Sequence, residues 1–228
     1  MVFINTPLGW LLLALIFVPG IIAQILVRSA IRKYSQVRTR AGRTGAQAAA
    51  EILRDAGITD VAIQETDSFL GDHYDPTKKT LALSPDVYRS NSVSAVGIAA
   101  HEAGHALQHQ QAYAPLQARM TVVPVTMFAS QLMPLVVIGG FWFRIPLLIT
   151  LGIAIYAIIV LFQLITLPVE FNASARAKRI LQGSGLVTTD EMVGVNRVLN
   201  AAALTYVAAL IVAAAHLIQL ILVSRDRR

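Results

Sequence analysis

The sequence predicts a mainly α-helical membrane protein, with about four transmembrane helices and one small α+β lobe outside them. Three observations predict it. Of 228 residues, 55% are hydrophobic and only 14% are charged, whereas an average soluble domain carries about 25% charged residues. The mean hydropathy is +0.60. Four apolar stretches are each long enough to cross a bilayer, which takes roughly 20 residues. Cysteine is absent, which excludes disulfides, thiolate metal ligands and thiol catalysis.

Residues 1–28 read as an N-terminal transmembrane anchor with an uncharged core from Leu8 to Val27. No basic residue precedes it and no small-x-small cleavage site follows, so an anchor is expected rather than a cleaved signal. Arg28, Arg32, Lys33, Arg38, Arg40 and Arg43 come directly after it. Beside a span, such a run is a topology and anionic-lipid signal, not a nucleic-acid site.

Residues 29–120 form the polar lobe. Thr44 is placed to cap a helix that runs to Asp55 and stops at Gly57. Asp60–Glu65 alternates apolar and polar residues, as a half-buried strand does. Ser68–Pro76 reads as a turn shaped by Asp72 and Asp75, and Thr80–Leu83 as a second strand. Ser90-Asn91-Ser92 can cap a long helix from Val93 to about Gln111, which ends before Pro115.

Residues 121–168 form a transmembrane hairpin, Val122–Phe143 and Pro146–Leu167, joined by a loop whose only cation is Arg144. Residues 169–202 return to the side of the lobe. Residues 203–228 hold a fourth apolar stretch, Ala203–Val223, and a basic tail of Arg225, Arg227 and Arg228. The alternatives for this stretch are a long core helix or a re-entrant segment. Lys and Arg favour one side of the hairpin by fifteen to one, the exception being the three tail arginines, which fall on the other side if the last stretch crosses fully. The positive-inside bias therefore predicts a multi-pass protein of the cell membrane with its lobe in the cytoplasm.

The long helix of the lobe carries the chemistry. His101, Glu102 and His105 form H-E-x-x-H. Residues four apart on a helix share a face, so both imidazoles can reach one tetrahedral ion. Glu102, one residue round, is placed to act as general base on a metal-activated water. The plainer alternative is a pair of surface histidines. Gly104, inside the helix, costs about 1 kcal/mol of propensity, so a close approach by another backbone or by substrate is expected there.

A catalytic zinc site needs a third protein ligand and an open position. His109 lies roughly 6 Å further along the axis than His105 at 1.5 Å rise per residue, too far to share the ion from a straight helix. It is expected near the site or facing solvent. Gln108 and Gln111 stand where a longer zinc motif would require Gly and His. Glu170, the only acid between Glu102 and Asp190, lies just past the third span, on the lobe's side. A carboxylate at a membrane edge is costly and usually functional, and Glu170 is the expected third ligand. The alternative pairs it with Arg176 or Lys178 on its own helix.

The segments DHYDP (Asp72–Pro76), LSPDVY (Leu83–Tyr88), AAHEAGHALQH (Ala99–His109) and LPVEFNASARA (Leu167–Ala177), with the Gly45–Leu53 helix before them, resemble the YugP-type zinc metallopeptidases of bacteria. The likeness covers nearly the whole chain. That family is in turn similar to the HtpX-like and CaaX-protease membrane gluzincins, which take two zinc ligands from H-E-x-x-H and a Glu from a downstream E-x-x-x-D. The resemblance implies a gluzincin-like lobe and one Zn2+ held by His101, His105 and Glu170. It also implies Glu102 as catalytic base and a polypeptide substrate.

Ser174 stands where the broader pattern has the Asp that orients a zinc-bound His. Asn172 or an acid of the DHYDP loop is the candidate to compensate. His73, His109, Asn172, Ser174 and Arg176 are candidates to touch a ligand or the substrate. In gluzincins the strand beside the metal helix pairs with an extended substrate, and Thr80–Leu83 is the candidate here. His216 and Gln219 are expected to hydrogen-bond within the helix bundle.

The expected function is a membrane-embedded zinc endopeptidase acting on membrane or misfolded proteins. The alternative from another class is a non-catalytic scaffold or chaperone with a structural metal site, which has no use for Glu102. A transporter is disfavoured because paired broken helices are missing. Iron, nickel or copper also suit the ligand set.

Overall fold

A computed structural model describes residues 6–67, 71–143 and 145–225. Its elements, in chain order, are α1 (Pro7–Tyr34), α2 (Gly45–Asp55), β1 (Ala62–Glu65), β2 (His73–Asp75), β3 (Thr80–Leu83), α3 (Pro85–Tyr88), α4 (Val93–Gln110), α5 (Ala114–Trp142), α6 (Pro146–Ser184) and α7 (Thr189–Arg225). The chain divides into two compact units. One holds Met1–Gln24, Gln117–Leu167 and Thr205–Arg228, and the other Ile25–Leu116 and Pro168–Leu204.

The first unit is built from parts of α1, α5, α6 and α7. All four helices are long and apolar enough to cross a membrane. Large apolar side chains such as Phe17, Ile21, Phe128, Leu135 and Leu147 point outward, the arrangement a hydrocarbon solvent favours. Small clusters tie the helices together: Leu12 and Ile16 with Ala215, and Ala129 and Val136 with Ile155. His216 stacks on Tyr156, with ring centroids 5.1 Å apart. The fourth apolar stretch is part of one unbroken helix, α7, which at 1.5 Å per residue is about 55 Å long. It makes no re-entrant turn.

The second unit carries the lobe. Thr44 caps α2 through a capping box with Gln47, and Ser92 caps α4 by accepting from the Ala95 amide at 3.2 Å. Both caps fall where the sequence predicts them. The sheet has the order β1-β3-β2, with β1 and β3 parallel and β2 and β3 antiparallel. Leu81 and Leu83 of β3 are fully buried.

Two expectations need correction here. His73–Asp75, read as turn, is strand β2, in register His73–Ala82, Tyr74–Leu81 and Asp75–Thr80. Three residues are too few to show a period of two, and part of the stretch read as turn (68–70) lies outside the described residues. Because β2 takes the other side of β3, Thr80–Leu83 is the central strand, and it has no free edge to offer a substrate. The turn lies just beyond β2, where the Asp75 carboxylate accepts from the Thr77 and Lys78 amides at 2.9 and 3.1 Å.

α4 is the core of this unit. Ala99, Ala100 and Ala103 are fully buried, and their small size lets α2, α6 and α7 pack close. A Cβ built on Gly104 would stand 2.8 Å from the carbonyl oxygen of Ala173 on α6. The expected close approach at Gly104 is therefore a backbone approach, between the H-E-x-x-H helix and the helix that carries Glu170.

Gly104→Ala should lower Tm although Ala is the better helix former. A backbone carbonyl cannot turn aside as a side chain can, so overpacking should outweigh propensity and leave a net loss of about 1–2 kcal/mol. Thermal denaturation of the purified variant measures it.

Candidate active site

His101, Glu102 and His105 lie on α4, and Glu170 on α6, all within the second unit. The close approach at Gly104 brings the two helices together at this level. The His101 Nε2 is 3.2 Å from Glu170 Oε2, and the His105 Nε2 is 3.5 Å from the same oxygen. Ligand atoms of the three residues all lie within 4.8 Å of one another. The rings meet edge to face, with centroids 4.8 Å apart.

These spacings fit one ion. Two donors about 2.0–2.1 Å from a tetrahedral zinc stand ~3.3 Å apart, and both His–Glu separations are close to that. Two imidazoles and a carboxylate are a donor set zinc accepts, and the three side chains could hold it. Glu170 is 2% exposed, so without a cation or a proton-bearing partner its charge would be costly. Arg176 donates to Asn172 and Gln111, and Lys178 donates to Asn200.

Each ring is also held from its far side. His101 Nδ1 is 3.1 Å from Ser174 Oγ, so an uncharged hydroxyl occupies the place where an Asp was expected by resemblance. His105 Nδ1 is 3.0 Å from Gln108 Oε1. Gln108 was overlooked in the sequence because it registers there only as a failed motif position. Its spacing of three from His105 puts it on the same face, and that was the available signal. Asn172 touches Gln108 rather than a ligand.

His109 and His73 lie outside the cluster of three. His109 Nδ1 is 2.9 Å from the Tyr74 hydroxyl, and both residues line a cavity of about 330 Å³ with Asp60 and Lys79. His73 Nδ1 is 2.9 Å from the Gly71 carbonyl. Asp72 accepts from the Ser84 amide and hydroxyl at 2.7 and 2.9 Å, so it anchors the start of α3.

Burial pushes the Glu102 carboxyl above its ordinary range, and the nearby Glu170 and Asp72 add to this against the pull of His101 and His105. A carboxyl raised in this way is a better proton acceptor than an ordinary carboxylate. For His105 burial acts downward, but the hydrogen bond to Glu170 and the Glu102 charge outweigh it and raise the ring above its usual value. Burial would raise Glu170, yet its bonds to both histidines hold it well below the ordinary carboxylate range.

Residues 9–225 match a family described as "Putative neutral zinc metallopeptidase". The chain belongs to this zinc metallopeptidase family. It is also 48% identical over 206 residues to a protein of Bacillus subtilis (strain 168) named "Putative membrane protease YugP", covering 90% of this chain and 92% of that one. No solved structure is significantly similar. Family and relative bear out the resemblance read from the motifs. They agree with the four apolar helices in describing a membrane metallopeptidase.

A metal held by His105 would have to displace its proton. Since that ring holds its proton to higher pH than a free imidazole, zinc affinity should fall as pH drops below a point above 6.5, the ordinary value. Metal-free protein changes in the opposite sense: the stability His105 contributes is full below about 6.5 and is lost as pH rises through the raised value. Chelator competition and Tm measured from pH 5.5 to 8.5 check both signs.

Proposed function

We propose that the chain is a zinc-dependent endopeptidase of gluzincin type, with one zinc ion held by His101, His105 and Glu170. The observation that carries this reading is the meeting of those three side chains next to Glu102, which is buried and hydrogen-bonded to no described residue. Zinc in such a site supplies Lewis acidity toward a carbonyl and makes water nucleophilic at neutral pH.

The chain's own groups do the rest. Glu102 takes the proton from the attacking water as the new C–O bond forms. It then delivers that proton to the amide nitrogen as the C–N bond breaks, so no proton is left over. Its raised pKa serves both steps. Ser174 holds the His101 ring. With β3 central, the edges open to an extended polypeptide belong to β1 and β2. The outer edge of β2 is favoured, since β2 packs against α4, and strand addition is a common mode of peptide recognition.

The four apolar helices and the excess of Lys and Arg on the lobe's side of the hairpin, fifteen against Arg144 and the three tail arginines, support a site on the cytoplasmic side of the cell membrane, acting on membrane or misfolded proteins. A scaffold with a structural metal has no use for an unpaired buried acid beside the ligands.

Glu102→Gln should retain one zinc per chain and lose peptide hydrolysis by about 10²–10⁴-fold, read by metal analysis and cleavage of a casein-type substrate. Glu170→Ala should lose both zinc and activity. Wild-type cleavage by Glu102→Gln would return the chain to the non-catalytic reading.

A further inference from the structure

Gln108 is fully buried on α4, and a buried amide must satisfy both ends. Its Nε2 donates to the Val169 carbonyl on α6 at 2.8 Å and to Asn172 Oδ1 at 3.0 Å. Its Oε1 faces His105 Nδ1 at 3.0 Å. An amide of this kind can usually be turned over without changing its shape. Here it cannot. A backbone carbonyl only accepts, so Val169 must meet the nitrogen end. Asn172 is fixed in turn by Arg176, whose Nε, a donor only, reaches the same Oδ1 at 2.7 Å. The oxygen end is thus left for His105. An amide oxygen only accepts, so Nδ1 carries a hydrogen in the protonated and the neutral ring alike, and the neutral ring keeps its lone pair on Nε2, where a metal ion would take it.

We propose that Gln108 is a positioning residue for the metal site: its amide, anchored on α6, holds His105 in the Nδ1–H tautomer and locks the α4 ligands to the helix that carries Glu170. The inference rests on the proposed zinc site and adds the group that prepares it. Arg176 extends the same line outward, since its Nη1 donates to Gln111 Oε1 at 2.5 Å and its guanidinium lies over the Tyr113 ring at 5.8 Å. The line runs from a half-exposed arginine through Asn172 and Gln108 to a metal ligand, with each donor meeting an acceptor.

The test compares wild type, Gln108→Met and Gln108→Glu as full-length protein in detergent, by zinc competition against a fluorescent chelator, with Tm recorded alongside. Met has a similar length, no N–H to donate, and only a weakly accepting sulfur in place of the amide oxygen. Glu keeps an acceptor for Nδ1 and, protonated, a donor for the Val169 carbonyl. Removing a partner of a metal-bound histidine typically costs 10–100-fold in affinity. Gln108→Met should lose zinc affinity by about that factor, and Gln108→Glu should recover most of it. If Gln108→Met does not fold, Asn172→Leu, which removes one of the two anchors, should weaken zinc binding in the same assay at unchanged Tm. Wild-type affinity in Gln108→Met, or in a folded Asn172→Leu, overturns the proposal. So do equal losses in Met and Glu that track Tm, which would mean a packing role only. Failure of wild type itself to bind zinc overturns the metal site and this inference with it, and is separately recognisable.

Discussion

The approach of two helix backbones at Gly104 is the constraint on which the site depends. With any side chain there, α4 would meet the Ala173 carbonyl of α6, and the Glu170 carboxylate would stand off from the imidazoles. Glycine costs helix propensity, and here the cost is offset by a contact that lets three polar groups share one small buried volume. The alanines around it serve the same end, because they let neighbouring helices close in on all sides of α4.

Such a volume is expensive to fill with polar groups, and the structure shows how the expense is limited. Each imidazole has one nitrogen toward Glu170 and the other toward an uncharged partner, Ser174 for His101 and Gln108 for His105. Glu102 stands apart: it is buried and raised by desolvation and has no hydrogen bond from the described residues. Two carboxylates a short distance apart are thus driven in opposite directions by their surroundings, one held ionised and one ready to take a proton. Divergence of this kind is what the proposed acid–base role of Glu102 requires.

Much of this was legible in the residues. Capping at Thr44 and Ser92, the four apolar stretches and the four-residue spacing of His101 and His105 are local signals, and local signals survive folding. Glu170 was legible because an acid at the end of an apolar run has few innocent explanations. Gly104 announced a close contact without naming the partner. What could not be read was non-local. Strand β2 has only three residues and is identified by pairing with β3, which also makes β3 central. Gln108 was hidden because an amide carries no charge and fits no motif, and its importance appears only when Val169 and Asn172 of α6 are set beside it.

The central claim is that one ion sits where α4 and α6 converge. Anomalous diffraction at the zinc edge from crystals of the zinc-loaded protein tests it most directly. The account predicts a single strong peak enclosed by His101 Nε2, His105 Nε2 and a carboxylate oxygen of Glu170. A peak bound elsewhere, or a zinc held without Glu170, would contradict it.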